Sequence, residues 1–228
     1  MDFDMLGLAP RLIAKLAENG ITDPTPIQAQ AIPHAMNGRD VMGLAQTGTG
    51  KTAAFGLPML DALLKEGGRP SPKSAKALIL APTRELAKQI ADNLMMFAEG
   101  SHLKIVLVVG GAGITGQMRK LEKGTAVLVA TPGRLLDLID RKAVRLDETR
   151  LLVLDEADQM LDLGFIHALR RIAPLLAKER QTMLFSATMP KQMAELSEAY
   201  LSNPIRVQVN PPGKAADKIE QCVHFVGA

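Results

Sequence analysis

The sequence predicts an α/β fold in which helices flank both faces of an open, mostly parallel sheet. Three observations predict it: short apolar runs alternate with amphipathic segments almost from end to end, each run is too short for a typical helix, and several are apolar without interruption. Uninterrupted runs of that length are what strands covered on both faces require. In chain order the strand candidates are Val41–Ala45, Ala77–Ala81, Lys104–Val109, Ala126–Ala130, Leu151–Asp155, Thr182–Ser186 and Ile205–Val209. Helical patterns lie between them. In Arg84–Phe97, Leu86, Ile90, Leu94 and Phe97 recur at helical spacing. Right-handed crossovers in such a sheet would collect the loops after the strand carboxyl ends along one edge, where ligands bind.

Gly67–Ser74 (GGRPSPKS) reads as a flexible insertion, and Asn210–Ala216 (NPPGKAA) as a linker before a strand-like Gln221–Val226. The expected organisation is one domain over 1–209, with 210–228 as linker and the start of a second unit. The 228 residues suffice to bury a core, and 47% hydrophobic with 22% charged residues is ordinary for a globular chain. No uncharged apolar run reaches the roughly eighteen residues a membrane span needs. The opening MDFDMLGLAP lacks the basic-then-apolar pattern of a signal peptide. A single cysteine, Cys222, excludes an internal disulfide and fits a reducing compartment, so a cytoplasmic chain is expected; the isolated domain is expected to be monomeric. No His/Cys cluster has zinc-site spacing, and His34, His102, His167 and His224 form no constellation. Net charge is only +3, aromatics are 3% and tryptophan is absent. A nucleic acid bound to this chain would therefore be held by its backbone rather than its bases.

The chemistry concentrates after two strand candidates. Ala45–Thr52 reads AQTGTGKT, between a strand and a helical stretch. Gly48 and Gly50 let the amides of Ala45, Gln46, Thr47, Gly48, Thr49 and Gly50 close on phosphate oxygens. Lys51 can reach the β- and γ-phosphates, Thr52 can ligate Mg²⁺, and the helix that starts there adds its positive end. The usual pattern opens with Gly; here Ala45 stands in its place, still small enough for a tight turn. Leu151–Asp155 (LLVLD) then delivers Asp155 at a strand end, placed to hold Mg²⁺ through water. Beside it Glu156 can orient and deprotonate an attacking water. The pair of motifs predicts a Mg²⁺–nucleotide site.

Asp155–Asp158 spells DEAD, and the chain resembles the DEAD-box RNA helicases over nearly its whole length. Gly20–Gln28 (GITDPTPIQ), Pro82–Ala87 (PTRELA), Gly110–Gly111, Thr131–Arg134 (TPGR), Asp155–Phe165 (DEADQMLDLGF) and Ser186–Thr188 (SAT) follow in the family's order. The resemblance implies a RecA-like P-loop domain, the first of two motor domains, using ATP and Mg²⁺. It implies that Gln28 reads an adenine edge. Phe3 would stack on the adenine or simply pack, and Thr25 would assist the nucleotide or cap a helix. Thr83, Arg84, Gly110, Gly111, Thr131, Gly133 and Arg134 match positions at which the family holds RNA. Hydroxyls, amides and guanidinium groups suit sugar–phosphate recognition. Arg134 has a rival reading as an ion-pair or capping residue, and Glu85 reads as the organiser of Arg84. Ser186 and Thr188 would hydrogen-bond Asp158 to couple the two sites, or serve as turn residues.

Phosphoryl transfer to water usually draws on an arginine finger. In the family it lies in an HRxGR-type motif of the second domain, and this sequence contains none. The chain alone is therefore expected to bind nucleotide weakly and to hydrolyse it little. The tail NPPGKAADKIEQCVHFV resembles the RhlE-like branch. Rival functions are an ATP-gated RNA clamp or scaffold, a DNA helicase or translocase of the same superfamily, and a P-loop enzyme that is no helicase.

Overall fold

A computed structural model of the protein describes residues 2–209. The expected linker Asn210–Ala216, the strand-like Gln221–Val226 and Cys222 lie outside the described residues. Seven strands form one sheet: β1 (Val41–Leu44), β2 (Ala75–Leu80), β3 (Ile105–Val108), β4 (Thr125–Ala130), β5 (Leu151–Leu154), β6 (Gln181–Ser186) and β7 (Ile205–Gln208). Their spatial order is β3-β4-β2-β5-β6-β1-β7, and every pairing is parallel. All seven expected strands are present. Ala45, Ala81, Asp155 and Val209, expected as the last residues of their strands, sit one position beyond. Each still donates one amide hydrogen bond to the neighbouring strand, at 3.0 Å. The apolar pattern thus follows the ladder to its final bond.

The helices are α1 (Pro10–Glu18), α2 (Pro26–Met36), α3 (Lys51–Glu66), α4 (Arg84–Phe97), α5 (Ile114–Leu121), α6 (Pro132–Asp140), α7 (Ala157–Asp162), α8 (Ile166–Ile172) and α9 (Lys191–Tyr200). Helix α4 has the bounds its spacing predicts. Thr83 caps it, Oγ1 accepting from the Leu86 amide at 3.2 Å, and Ile90, Leu94 and Phe97 are buried.

Alternation along the strands divides the core in two. Ala77, Ile79, Val127, Val129, Val153, Met183 and Phe185 pack with α1 to α4. Leu78, Leu80, Leu128, Leu152, Leu154 and Leu184 pack with α5 to α9. Both sets are buried, which is why the strands read as unbroken apolar runs. The Phe185 ring stands 5.6 Å from that of Phe55 on α3. It also fills the space a side chain at Gly43 would need, so β1, β6 and α3 close around one aromatic pair.

The Gly67–Ser74 segment differs from the flexible insertion its composition suggests. Buried Ser74 Oγ lies 2.8 Å from the Ser71 carbonyl and 3.1 Å from Glu148 Oε2. The Arg145 amide donates to the Lys73 carbonyl at 2.8 Å, so the loop is anchored where it meets β2.

Candidate active site

Strand β1 runs into the loop Ala45–Gly50, where Gly48 and Gly50 take φ of +83° and +90°. These left-handed turns send the chain straight into α3, which begins at Lys51 with no side-chain cap on its free amides. Thr49 Oγ1 donates to the Gln46 carbonyl at 2.8 Å, closing the loop on itself. Lys51 Nζ is 6% exposed, 3.6 Å from Asp155 Oδ1 and 3.7 Å from Glu156 Oε1. It has no hydrogen-bond partner. A buried ammonium with unused donors is poised for anionic oxygens, and phosphate fits that need.

Asp155 follows β5 and is 1% exposed. Burial pushes its pKa up to about 6; the Lys51 charge opposes the rise and the Glu156 carboxylate adds to it. Its Oδ1 accepts from the Glu156 amide at 3.0 Å. Glu156 stands at φ +51°, an unusual conformation for a residue with a side chain, and turns the chain from strand into α7. Its Oε1 accepts from Thr47 Oγ1 at 2.9 Å, tying the acid to the phosphate loop. A buried carboxylate facing the half-buried Thr52 is a donor set that suits Mg²⁺ completed by phosphate and water oxygens. Among the described residues no group of three or more His, Cys, Asp or Glu could hold a metal by itself.

Three residues upstream of the phosphate loop, Phe3, Thr25 and Gln28, are expected near the nucleotide. Phe3 is 3% exposed and packs in the hydrophobic core. Thr25 is the N-cap residue of α2, and Gln28 forms the returning half of a capping box. Gln28 Oε1 accepts from the Thr25 amide at 3.0 Å, and Nε2 donates to the Gly50 carbonyl at 3.0 Å. Part of the amide expected to read adenine is thus engaged in tethering α2 to the phosphate loop.

Gly50→Ala tests that tether. A Cβ there would stand 2.5 Å from Gln28 Nε2 and 2.9 Å from Thr25 Oγ1, on a backbone at φ +90°. A stability loss of about 1–3 kcal/mol is expected, with weakened nucleotide binding. Chemical denaturation and ATP titration measure the two, and an unchanged midpoint with unchanged affinity would refute the tether.

The cleft around Lys51, about 310 Å³, is also lined by Gln89, Asn93 and Met96 of α4. The sequence reading missed these three. The only signal was Gln89 and Asn93 recurring four residues apart on α4.

A second cleft, about 390 Å³, opens along the same edge of the sheet. It brings together Thr83, Arg84, Gly110, Thr131, Gly133 and Arg134, with Glu85 and Phe165. Gly111 adjoins it: a Cβ there would collide with the Arg84 guanidinium, which lies against this glycine pair. Arg84 is therefore arranged by Gly110–Gly111. Among the described residues no ion pair joins it to Glu85, the acid expected to organise it. Arg134 Nη1 donates to the Ala112 carbonyl at 3.0 Å, and Nε stands 4.0 Å from Asp137. It supports the loop while lining the cleft.

Asp158, on α7, is bonded to the segment that follows β6. Its Oδ2 accepts from the Thr188 amide at 2.9 Å and from Thr188 Oγ1 at 2.8 Å. Burial alone would raise this carboxyl, but the hydrogen bonds from Thr188 hold it below the usual range. Ser186 Oγ donates to the Thr188 carbonyl at 2.7 Å, bracing the partner that carries the direct bond.

With this geometry in view, similarity to known proteins is informative. The model of the DEAD/DEAH box helicase family matches residues 25–196. The chain is 45% identical over 205 residues to DEAD-box ATP-dependent RNA helicase 9 of Oryza sativa subsp. japonica, covering 90% of this chain and 32% of that protein. It is 44% identical over 224 residues to RNA helicase CrhR of Synechocystis, covering 98% and 44%. The solved structure of a DEAD box protein from the hyperthermophile Methanococcus jannaschii superposes with a TM-score of 0.85 at 34% identity, over 92% of this chain and 56% of that one. The chain therefore spans less than half the length of these two curated relatives.

Proposed function

The chain belongs to the DEAD/DEAH box helicase family, and from that premise we propose that residues 2–209 act as the ATP-binding motor domain of an RNA helicase. The observation that carries this reading is Lys51. Its buried ammonium, held between Asp155 and Glu156 without a hydrogen-bond partner, awaits phosphate, and a cleft with two arginines opens on the same sheet edge.

Lys51 and the amides at the start of α3 bind the phosphates. Mg²⁺, when bound, would supply charge neutralisation there, with Thr52 and Asp155 as its protein donors. Glu156 orients the attacking water and takes its proton. Thr83, Arg84, Gly110, Gly111, Thr131, Gly133 and Arg134 hold the RNA backbone, and Asp158 with Thr188 transmits nucleotide occupancy to that edge. Among the described residues no arginine lines the Lys51 cleft. Hydrolysis in this reading therefore draws on a cation supplied by a second RecA-like domain, and the chain alone turns over slowly even with RNA.

The test is binding of single-stranded RNA and of the matched DNA to wild type and to Arg84→Glu. RNA affinity is expected to fall about tenfold, with the salt slope reduced by about one, and ATP affinity unchanged. RNA binding indifferent to Arg84→Glu would refute the assigned edge. DNA bound as tightly as RNA would move the reading to a DNA helicase or translocase.

A further inference from the structure

The anchored Gly67–Ser74 loop is used by neither site described above. It lies at the opposite edge of the sheet, beside the amino ends of β2 and β4, and it borders two clefts. The larger, about 930 Å³, has an apolar floor of Leu63, Pro70, Leu103 and Ala126, and Arg69 and Lys123 stand at its rim. The smaller, about 380 Å³, is floored by Ile139, Val144, Leu146 and the 41% exposed Leu175, with Lys73 and Lys142 on its rim.

The charges around these clefts are unbalanced. Lys76 is paired with Glu66, and Arg145 with Asp147 and Glu148. Arg69, Lys73, Lys123 and Lys142 are exposed and have no ion pair among the described residues. Glu122 is the one acid lining the larger cleft, and the one acid lining the smaller is the paired Asp147. Lys73 and Lys142 are also held at φ +57° and +55°, a conformation unfavourable for lysine.

We propose that this edge docks an acidic segment of a partner protein whose apolar side chains enter the two clefts. Four unpaired cations supply the charge complementarity, and the apolar floors supply the anchoring pockets. A nucleic acid would satisfy the cations but leave both floors uncovered, and among the described residues His102 is the one ring lining either cleft that could stack a base. The anchoring of Ser74 and Lys73 means that the surface is formed before the partner arrives. Because the nucleotide and Arg84 clefts open at the carboxyl ends of the strands, a partner here binds without displacing either ligand.

The experiment selects binders to the 228-residue chain from a random display library of peptides about twelve residues long. Affinities of the enriched peptides are then measured by fluorescence polarisation. Acidic peptides with interspersed Leu or Phe are expected. Their affinity should fall at least about tenfold for Arg69→Glu/Lys123→Glu and for Lys73→Glu/Lys142→Glu, and about fivefold for Leu175→Asp. Excess oligouridine RNA or an ATP analogue should leave binding unchanged. Thermal melting shows whether the variants keep their fold. The proposal is overturned by a library without enrichment, by enrichment of neutral or basic peptides, or by well-folded charge-reversal variants that bind like wild type. Displacement by oligouridine overturns it as well and identifies an RNA surface instead.

Discussion

Lys51→Ala is expected to weaken ATP binding by at least about 100-fold, the usual consequence of truncating one partner of a buried charge pair. The fold should survive. Lys51 Nζ makes no hydrogen bond, and the buried Asp155 that its loss leaves unpaired can take up a proton, so the cost to the fold is limited. What changes is the electrostatic balance: Lys51 is the charge that lowers Asp155, whose carboxyl burial has already raised to about 6. Without it, Asp155 and Glu156 face each other across the phosphate site and repel the nucleotide as well as one another. Isothermal titration with ATP measures the first effect, and a melting curve checks the second. ATP affinity within a few-fold of wild type would remove Lys51 from the phosphate site and with it the reading of the cleft.

Phe185→Ala should produce the largest stability loss among side chains near the site, about 3–5 kcal/mol. The ring is fully buried, packs on Phe55 at 5.6 Å and covers Gly43. Truncation opens a cavity bounded by β1, β6 and α3, which no nearby side chain can fill without leaving its own position. Because α3 carries Lys51, nucleotide affinity should fall with stability. Phe185→Leu, which keeps most of the volume, should lose less of both. Denaturant unfolding reads the effect, and a loss below about 1 kcal/mol would mean that the aromatic pair does not seat α3 on the sheet.

These residues also show what could be read from the sequence. The central strands were legible because they are buried on two faces, so their apolar runs follow the ladder, while the edge strand β7 shows only alternation. The phosphate loop and the Asp155–Glu156 pair were legible because their chemistry is local: glycines, a lysine and two acids at strand ends. What escaped depends on contacts between distant segments. Phe3 looks the same in sequence whether it stacks or packs, and only the fold shows it buried. Arg84 and Glu85 are adjacent in the chain, yet the guanidinium turns to Gly110–Gly111, which a distant loop presents. Gly67–Ser74 reads as flexible because nothing in GGRPSPKS reveals that Ser74 meets Glu148. Gln89 and Asn93 became part of the nucleotide cleft only once α4 was placed beside α3.

The strand order has a consequence for how the catalytic gap is measured out. Strand β6 lies between β1, which ends in the phosphate loop, and β5, which ends at Asp155. The carboxyl ends of β1 and β5 therefore stand two inter-strand spacings apart, roughly 9.6 Å, whatever side chains occupy the strand between. Backbone hydrogen bonds calibrate that width, and side chains at the rim only trim it. Variation along β6 can alter how firmly the sheet holds together without resetting the gauge. Slipping its register by one residue would instead carry Ser186 and Thr188 away from Asp158 and turn Phe185 to the wrong face. The middle strand is thus a spacer whose register tolerates almost no change and whose Phe185 is fixed by its packing on Phe55 and Gly43.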